Sequence, residues 1–171
     1  MTLALSDAPA ATESHVPRIQ PETVVPAALQ AQMAMEVYVR SCGLERPLLE
    51  LVKLRASLMN GCAFCVDMHT QDALRDCETP QRLFAVPVWR ETPFFSPRER
   101  VALAWTEAVT ALGHDGVPDA LYDEARAEFG DAGLVNLTMA VIAINGWNRL
   151  AVAFLRPPGS YTPGPHPADP A

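Results

Sequence analysis

The last long stretch of the chain, Gly133 to about Leu155, is apolar on nearly every side, and this restricts the available folds more than any other feature. Leu134, Leu137, Val141, Ile144, Ala151 and Leu155 fall on one helical seam, while Val135, Met139, Ile142 and Val152 cover the remainder. Such a helix has no polar side to offer water, so it is expected to be buried, partly against another subunit in a domain this small. The other periodic segments also read as helices. Val25, Leu29, Met33 and Val37 mark one from Pro21 to Ser41, closed by Gly43. Thr79-Pro80 caps a short helix over Gln81 to Val86. Ser96-Pro97-Arg98-Glu99 is a capping box opening a helix with Val101, Trp105, Ala108 and Leu112 on one face. Between them, the aromatic stretch Val88 to Phe95 reads as a loop. A further helix runs from Pro118 to Phe129 and stops at Gly130. No strand pattern, glycine-rich phosphate loop or repeat is present, so the expectation is an all-α, single-domain bundle of roughly seven helices.

The 171 residues suit one domain, with 49% hydrophobic and 19% charged residues. A formal charge of −7 with no basic run argues against nucleic acid or an anionic membrane as partner. The chain lacks an uninterrupted apolar run of the roughly 20 residues that span a bilayer. Its start carries neither a basic region nor a sustained apolar one, so a cytoplasmic location is expected. Residues 1–20 read as a flexible arm, 21–155 as the helical domain, and 156–171, with six prolines, as an extended or disordered tail. His15, His114 and His166 are expected to be solvated, and Cys42 and Cys77 to have no catalytic role.

The chemistry concentrates in ELVKLRASLMNGCAFCVDMH, from Glu50 to His69. Leu51, Leu54 and Leu58 give Glu50 to Met59 a helical period, and Asn60-Gly61 closes that helix and opens the next. Cys62 and Cys65 then lie in a first turn, where free N–H groups and the helix dipole favour thiolate. Cys65 and His69 are one turn apart on one face. In a reducing compartment such a pair is more suited to redox chemistry or metal binding than to a structural disulfide. A zinc site of Cys62, Cys65, His69 and one more ligand is the metal alternative. The second half of the chain offers no further ligand pair, so no metal or cofactor is expected. Asp67 and Asp72 read as a solvated helix face. Trp147-Asn148-Arg149 breaks the apolar last helix and suits buried hydrogen bonding or a place in a pocket wall.

The pattern Glu50, Ser57, Asn60-Gly61-Cys62, Phe64-Cys65, Met68-His69 resembles the core of the alkylhydroperoxidase D family, within the carboxymuconolactone decarboxylase-like superfamily. The strong part of the resemblance covers Glu50 to Asp72, and a weaker part reaches about Phe154. It implies a helical bundle, assembly into trimers or their dimers, and Glu50, Cys62, Cys65 and His69 as the functional residues. Phe64 departs from the pattern, since typical members have a second His there. The expected activity is a thiol-dependent peroxidase: Cys65 attacks a hydroperoxide, His69 takes its proton, and Glu50 orients His69. Cys62, taken as the more exposed thiol, resolves the sulfenic acid, and a dithiol or thioredoxin-like reductant restores the pair. Cys65 is therefore expected to have a pKa below the roughly 8.5 of a free cysteine. The alternatives are a carboxymuconolactone decarboxylase-like lyase and a non-catalytic redox-sensing or assembly module.

Overall fold

A computed structural model describes residues 16–164. Residues 1–15 of the expected arm and 165–171 of the expected tail, with His15 and His166, lie outside them. The helices are α1 (Pro21–Val24), α2 (Pro26–Ser41), α3 (Arg46–Met59), α4 (Ala63–Arg75), α5 (Pro80–Ala85), α6 (Pro97–Thr110) and α7 (Asp119–Ala153), with a 3-10 helix at Val86–Glu91 between α5 and α6. Among the described residues there is no strand. Proline stands at the first or second position of α1, α2, α3, α5 and α6, where its missing N–H is one the helix would leave unbonded anyway. The capping box at Ser96 forms as expected, with Ser96 accepting from the Glu99 N–H and Glu99 accepting from the Ser96 N–H.

The centre of the bundle is α3, which packs against α4, α6 and α7. It begins at Arg46 rather than Glu50, because Pro47 sets an earlier start. It is also not the one-sided helix that its leucine period suggests. Leu48, Leu49, Leu51, Val52 and Leu54 are buried, and so are Glu50, Lys53 and Ser57. One core cluster joins α3 to α2, α6 and α7 through Val39, Val52, Trp105, Leu137 and Val141. A second packs Leu51 and Leu54 against Val86, Trp89, Phe95 and Leu103. The stretch expected as an aromatic loop thus holds a 3-10 turn whose Trp89 is core, its indole N–H held by Glu107 at 2.8 Å.

The long α7 is two helices in series. Gly130, with φ 67°, breaks it at the glycine expected to stop the first. Beyond the break, Leu134, Leu137, Val141, Ile144 and Ala151 of the expected seam are buried. Leu155 is not, and Val135, Ile142 and Val152 are 59%, 45% and 44% exposed. The expectation of burial all round is therefore met on one face only within a single chain. By length and composition α7 is the one described helix able to cross a membrane, and its inner seam is part of the bundle core.

Truncation of a fully buried seam residue tests this packing. Leu137→Ala should lower unfolding stability by about 3 kcal/mol, within the range for buried leucines, measured by urea denaturation. A loss well below 1 kcal/mol would mean that the α7 seam is not tightly packed.

Candidate active site

The joint between α3 and α4 places the cysteines. Gly61 takes a left-handed φ of 64°, which lets its own N–H reach Leu58 O and the Cys62 N–H reach Ser57 O. Cys62 thus ends one helix and caps the next. Its Sγ accepts the Cys65 N–H at 3.3 Å, in the place an Asn or Ser oxygen would usually fill. Asn148 of α7 fastens the joint from the other side. Its Nδ2 donates to Ser57 Oγ at 3.0 Å and its Oδ1 accepts from Asn60 at 2.9 Å. The polar break in the last helix is accordingly a buried clamp on the cysteine turn, and Trp147 beside it lines a cavity.

Cys62 and Cys65 are both 1% exposed and unbridged, so Cys62 is not the more accessible thiol that its position at the helix start suggests. The cap geometry also reverses the expected acidity. A hydrogen bond from the Cys65 thiol, joined by the Cys65 N–H, Asn148 and the charge of Arg156, outweighs burial and lowers Cys62 to about 7. The same hydrogen bond, burial and the neighbouring charge push Cys65 up instead of down. Of the two thiols Cys62 is therefore the more acidic, with Cys65 as its donor.

One turn beyond Cys65, the His69 Nδ1 lies 2.8 Å from Glu50 Oε2. Burial alone would raise Glu50, but the hydrogen bond and charge of His69, with Lys53 and Arg46, bring it below the ordinary carboxylate range. An ionised carboxylate only accepts, so Nδ1 carries the hydrogen of this bond and Nε2 is the free end of the ring. Nε2 is buried and bonds to no group of the described chain. Lys53, 2% exposed, lies 3.9 Å from Glu50 and donates to Glu36 at 2.6 Å. Asp72 joins this group, contrary to its expected solvation. It is buried, accepts the Tyr161 hydroxyl at 2.8 Å and lies 3.4 Å from Arg75.

Cys65, His69, Glu50, Lys53 and Asp72 line one cavity of about 800 Å³, and Cys62 does not. Its walls come from α2, α3, α4 and α7, and from segments flanking the domain at both ends. Residues 156–164, expected as tail, dock along α4. The Gly159 N–H bonds Asp67 at 2.8 Å, Tyr161 bonds Asp72, and Arg75 bonds Gly164 O at 2.8 Å. Burial and the Asp72 contact raise Tyr161 to about 12. Glu36, Lys53, Asp72, Arg156 and Tyr161 were not singled out as functional from sequence. Only Lys53 leaves a local trace, as a charge inside an apolar helical run. The three possible metal-ligand atoms that converge among the described residues belong to Glu50, His69 and Asp72, not to the cysteines. Cys42 and Cys77 are unbridged, and neither lines the cavity.

Residues 26–108 match the carboxymuconolactone decarboxylase family, a span that includes the cysteine turn. The chain is 39% identical over 136 residues to the uncharacterized protein YdfG of Bacillus subtilis (strain 168), covering 80% of this chain and 92% of YdfG. Among solved structures, an Agrobacterium tumefaciens protein of unknown function, put forward as the antioxidant defence protein AhpD, superposes with a TM-score of 0.82. It is 43% identical, and the match covers 85% of this chain and all of that one. The debrominase Bmp8 has the same fold at 17% identity, with a TM-score of 0.70 over 79% of this chain and 73% of its own. The chain belongs to the carboxymuconolactone decarboxylase family, as an AhpD-like member.

The thiol pair gives the site a direct test. In a chain lacking Cys42 and Cys77, ultraviolet thiolate absorbance should rise with a midpoint near pH 7. Cys65→Ala removes the largest stabilising contact and should move the Cys62 midpoint upward by about one unit or more. An unmoved midpoint would mean that the thiol-to-thiolate hydrogen bond is absent.

Proposed function

We propose that the protein is a thiol-dependent peroxidase that reduces organic hydroperoxides through the Cys62/Cys65 pair. The observation that carries the reading is the shared cavity, whose lining includes both Cys65 and the Glu50-held His69. With the negative charge of the singly ionised pair on Cys62, passing the Cys65 proton to His69 makes a second thiolate at Cys65, the cysteine that lines the cavity. The Cys65 thiolate attacks the outer peroxide oxygen, the O–O bond breaks, and the alkoxide leaves as alcohol with a proton from His69. Cys65 is then a sulfenic acid. The Cys62 thiolate attacks its sulfur, the S–S bond forms, and hydroxide leaves as water after taking a proton from solvent. The peroxide has gained two electrons and the pair has lost two. An external dithiol or thioredoxin-like donor, as found in a reducing cytoplasm, returns them by thiol–disulfide exchange.

Peroxide consumption with a dithiol donor is the test. Cys65→Ser should abolish turnover and sulfenic acid formation. Cys62→Ser should stop turnover but leave a sulfenic acid trapped at Cys65. His69→Ala should slow turnover by about 10²-fold or more, as for loss of a general acid–base group. A sulfenic acid found at Cys62 in Cys65→Ser would exchange the two roles. Because a debrominase has this fold, a brominated pyrrole belongs in the same assay. Loss of bromide without any peroxide consumption would replace the peroxidase reading.

The proposal includes assembly as a homo-oligomer, a trimer or a dimer of trimers. Its support is the exposed apolar residues Val135, Ile142 and Val152 of α7. Ile142→Asp should lower the solution mass toward that of one chain, and a monomeric mass for the unmodified protein at micromolar concentration would overturn this part.

A further inference from the structure

The cavity mouth holds an arginine that no carboxylate of the described chain neutralises. The end of α7 places it there. Leu155 takes a left-handed φ of 54°, so its N–H bonds Val152 O and the Arg156 N–H bonds Ala151 O at 2.9 Å. This is a helix-ending turn usually made by glycine, held here by a leucine in a conformation that L side chains disfavour. The turn sends the chain back over the cavity, and the three bonds of residues 159–164 to α4 hold it there. The Arg156 guanidinium is consequently fixed over the Phe64 ring, 4.2 Å from its centre.

Stacking occupies the face of a guanidinium and leaves its in-plane N–H donors free. Among the described residues, none of the Arg156 side-chain donors has an acceptor. The other basic residues around the cavity differ. Lys53 and Arg40 are paired with Glu36, Arg46 with Asp76, and Arg75 with Asp72 and Asp76. The cavity's buried acids are engaged in turn, Glu50 by His69 and Asp72 by Tyr161. The cavity lining also includes the apolar side chains of Leu29, Met33, Leu49, Trp147, Leu150 and Phe154. On a chain of formal charge −7, this combination is a fork for one anion opening onto a slot for a hydrocarbon.

We propose that the cavity binds amphipathic carboxylates, with Arg156 receiving the carboxylate and the apolar wall the chain. The substrate class is then the hydroperoxide of an aliphatic carboxylic acid rather than a neutral alkyl hydroperoxide. Binding of the carboxylate stands independently, and the choice of a hydroperoxide as the reacting group rests on the peroxidase reading. The substitution of Phe64 for the second His of the resemblance acquires a purpose here. A flat apolar ring orients the arginine without competing for its hydrogen bonds.

Calorimetry on the full, reduced chain with decanoate and decanamide tests the binding without needing turnover. The unmodified protein should bind decanoate at least about tenfold more tightly than the neutral amide. Arg156→Gln should remove that difference by weakening decanoate and leaving decanamide unchanged, and Arg156→Lys should keep part of it, since a point charge lacks the planar fork. Equal binding of acid and amide by the unmodified chain would overturn the proposal. So would a loss in Arg156→Gln that is the same for both ligands, or no loss at all. Decanoate binding through Arg156 in a protein that consumes no peroxide would sink the peroxidase reading alone. Turnover of cumene hydroperoxide in a protein that ignores decanoate would sink this one alone.

Discussion

Two consecutive amides, those of Gly61 and Cys62, find their acceptors back inside α3, and the site depends on that turn. Only a residue without a side chain enters the left-handed region at little cost, and Gly61 does so with φ 64°. The consequence is that the chain passes from the end of one helix to the cap of the next without an intervening loop. Cys62 is therefore held by its own N–H on one side and by its sulfur on the other. Cys65 and His69 follow at fixed angles on α4, and Asn148 keeps the joint from opening. A serine or aspartate oxygen would cap α4 more strongly than this weak sulfur acceptor, so helix stability alone does not account for a cysteine here.

The second constraint is electrostatic. Glu36, Glu50, Lys53, His69 and Asp72 are all buried, and removing such groups from water costs several kcal/mol for each ion unless they are paired. They are paired: Lys53 with Glu36, Glu50 with His69, Asp72 with Tyr161 and Arg75. Burial raises Glu36 and Lys53 together with Arg40 lowers it further, so it remains a carboxylate inside the bundle. The arrangement keeps Glu50 ionised, and an ionised Glu50 places the ring hydrogen at Nδ1 and leaves Nε2 as the free nitrogen of His69. A hydrophobic filling of the same volume would suit stability as well or better, which points to a role for these charges in the chemistry.

The cavity is closed by parts of the chain far apart in sequence. Asp67, Asp72 and Arg75 on α4 receive the segment that follows α7, and Arg18 ties its N-terminal flank to the same end of α7 through Phe154 O and Ala153 O. Arg156 and Tyr161 reach the site by this route. Cavity, buried charge pairs and thiol pair thus draw on the central helix α3, on α4 and on both ends of the described chain.

Local order in the sequence determined a good deal by itself. The capping box at Ser96, the stop at Gly130, the Asn60-Gly61 joint and the i, i+4 placement of Cys65 and His69 follow from short-range backbone and side-chain preferences, and all are present in the structure. The all-α class follows from the same periods. Burial is not a local property, and there the tertiary structure decided. Apolar content points to the last helix as the centre of the domain, yet α3, with a lysine and a glutamate in its middle, is more fully enclosed, because a paired charge is as compatible with the interior as a leucine. The acidity of the two thiols was also outside the reach of spacing. Helix position favours a thiolate at both, and the contacts that converge on the Cys62 sulfur, from the Cys65 thiol and N–H and from Asn148 and Arg156, favour it there. Arg156 and Tyr161 lie in a stretch with no period at all. Their place at the cavity comes from a local left-handed turn at a leucine and from three bonds to α4, the latter between residues that nothing in the linear order brings together.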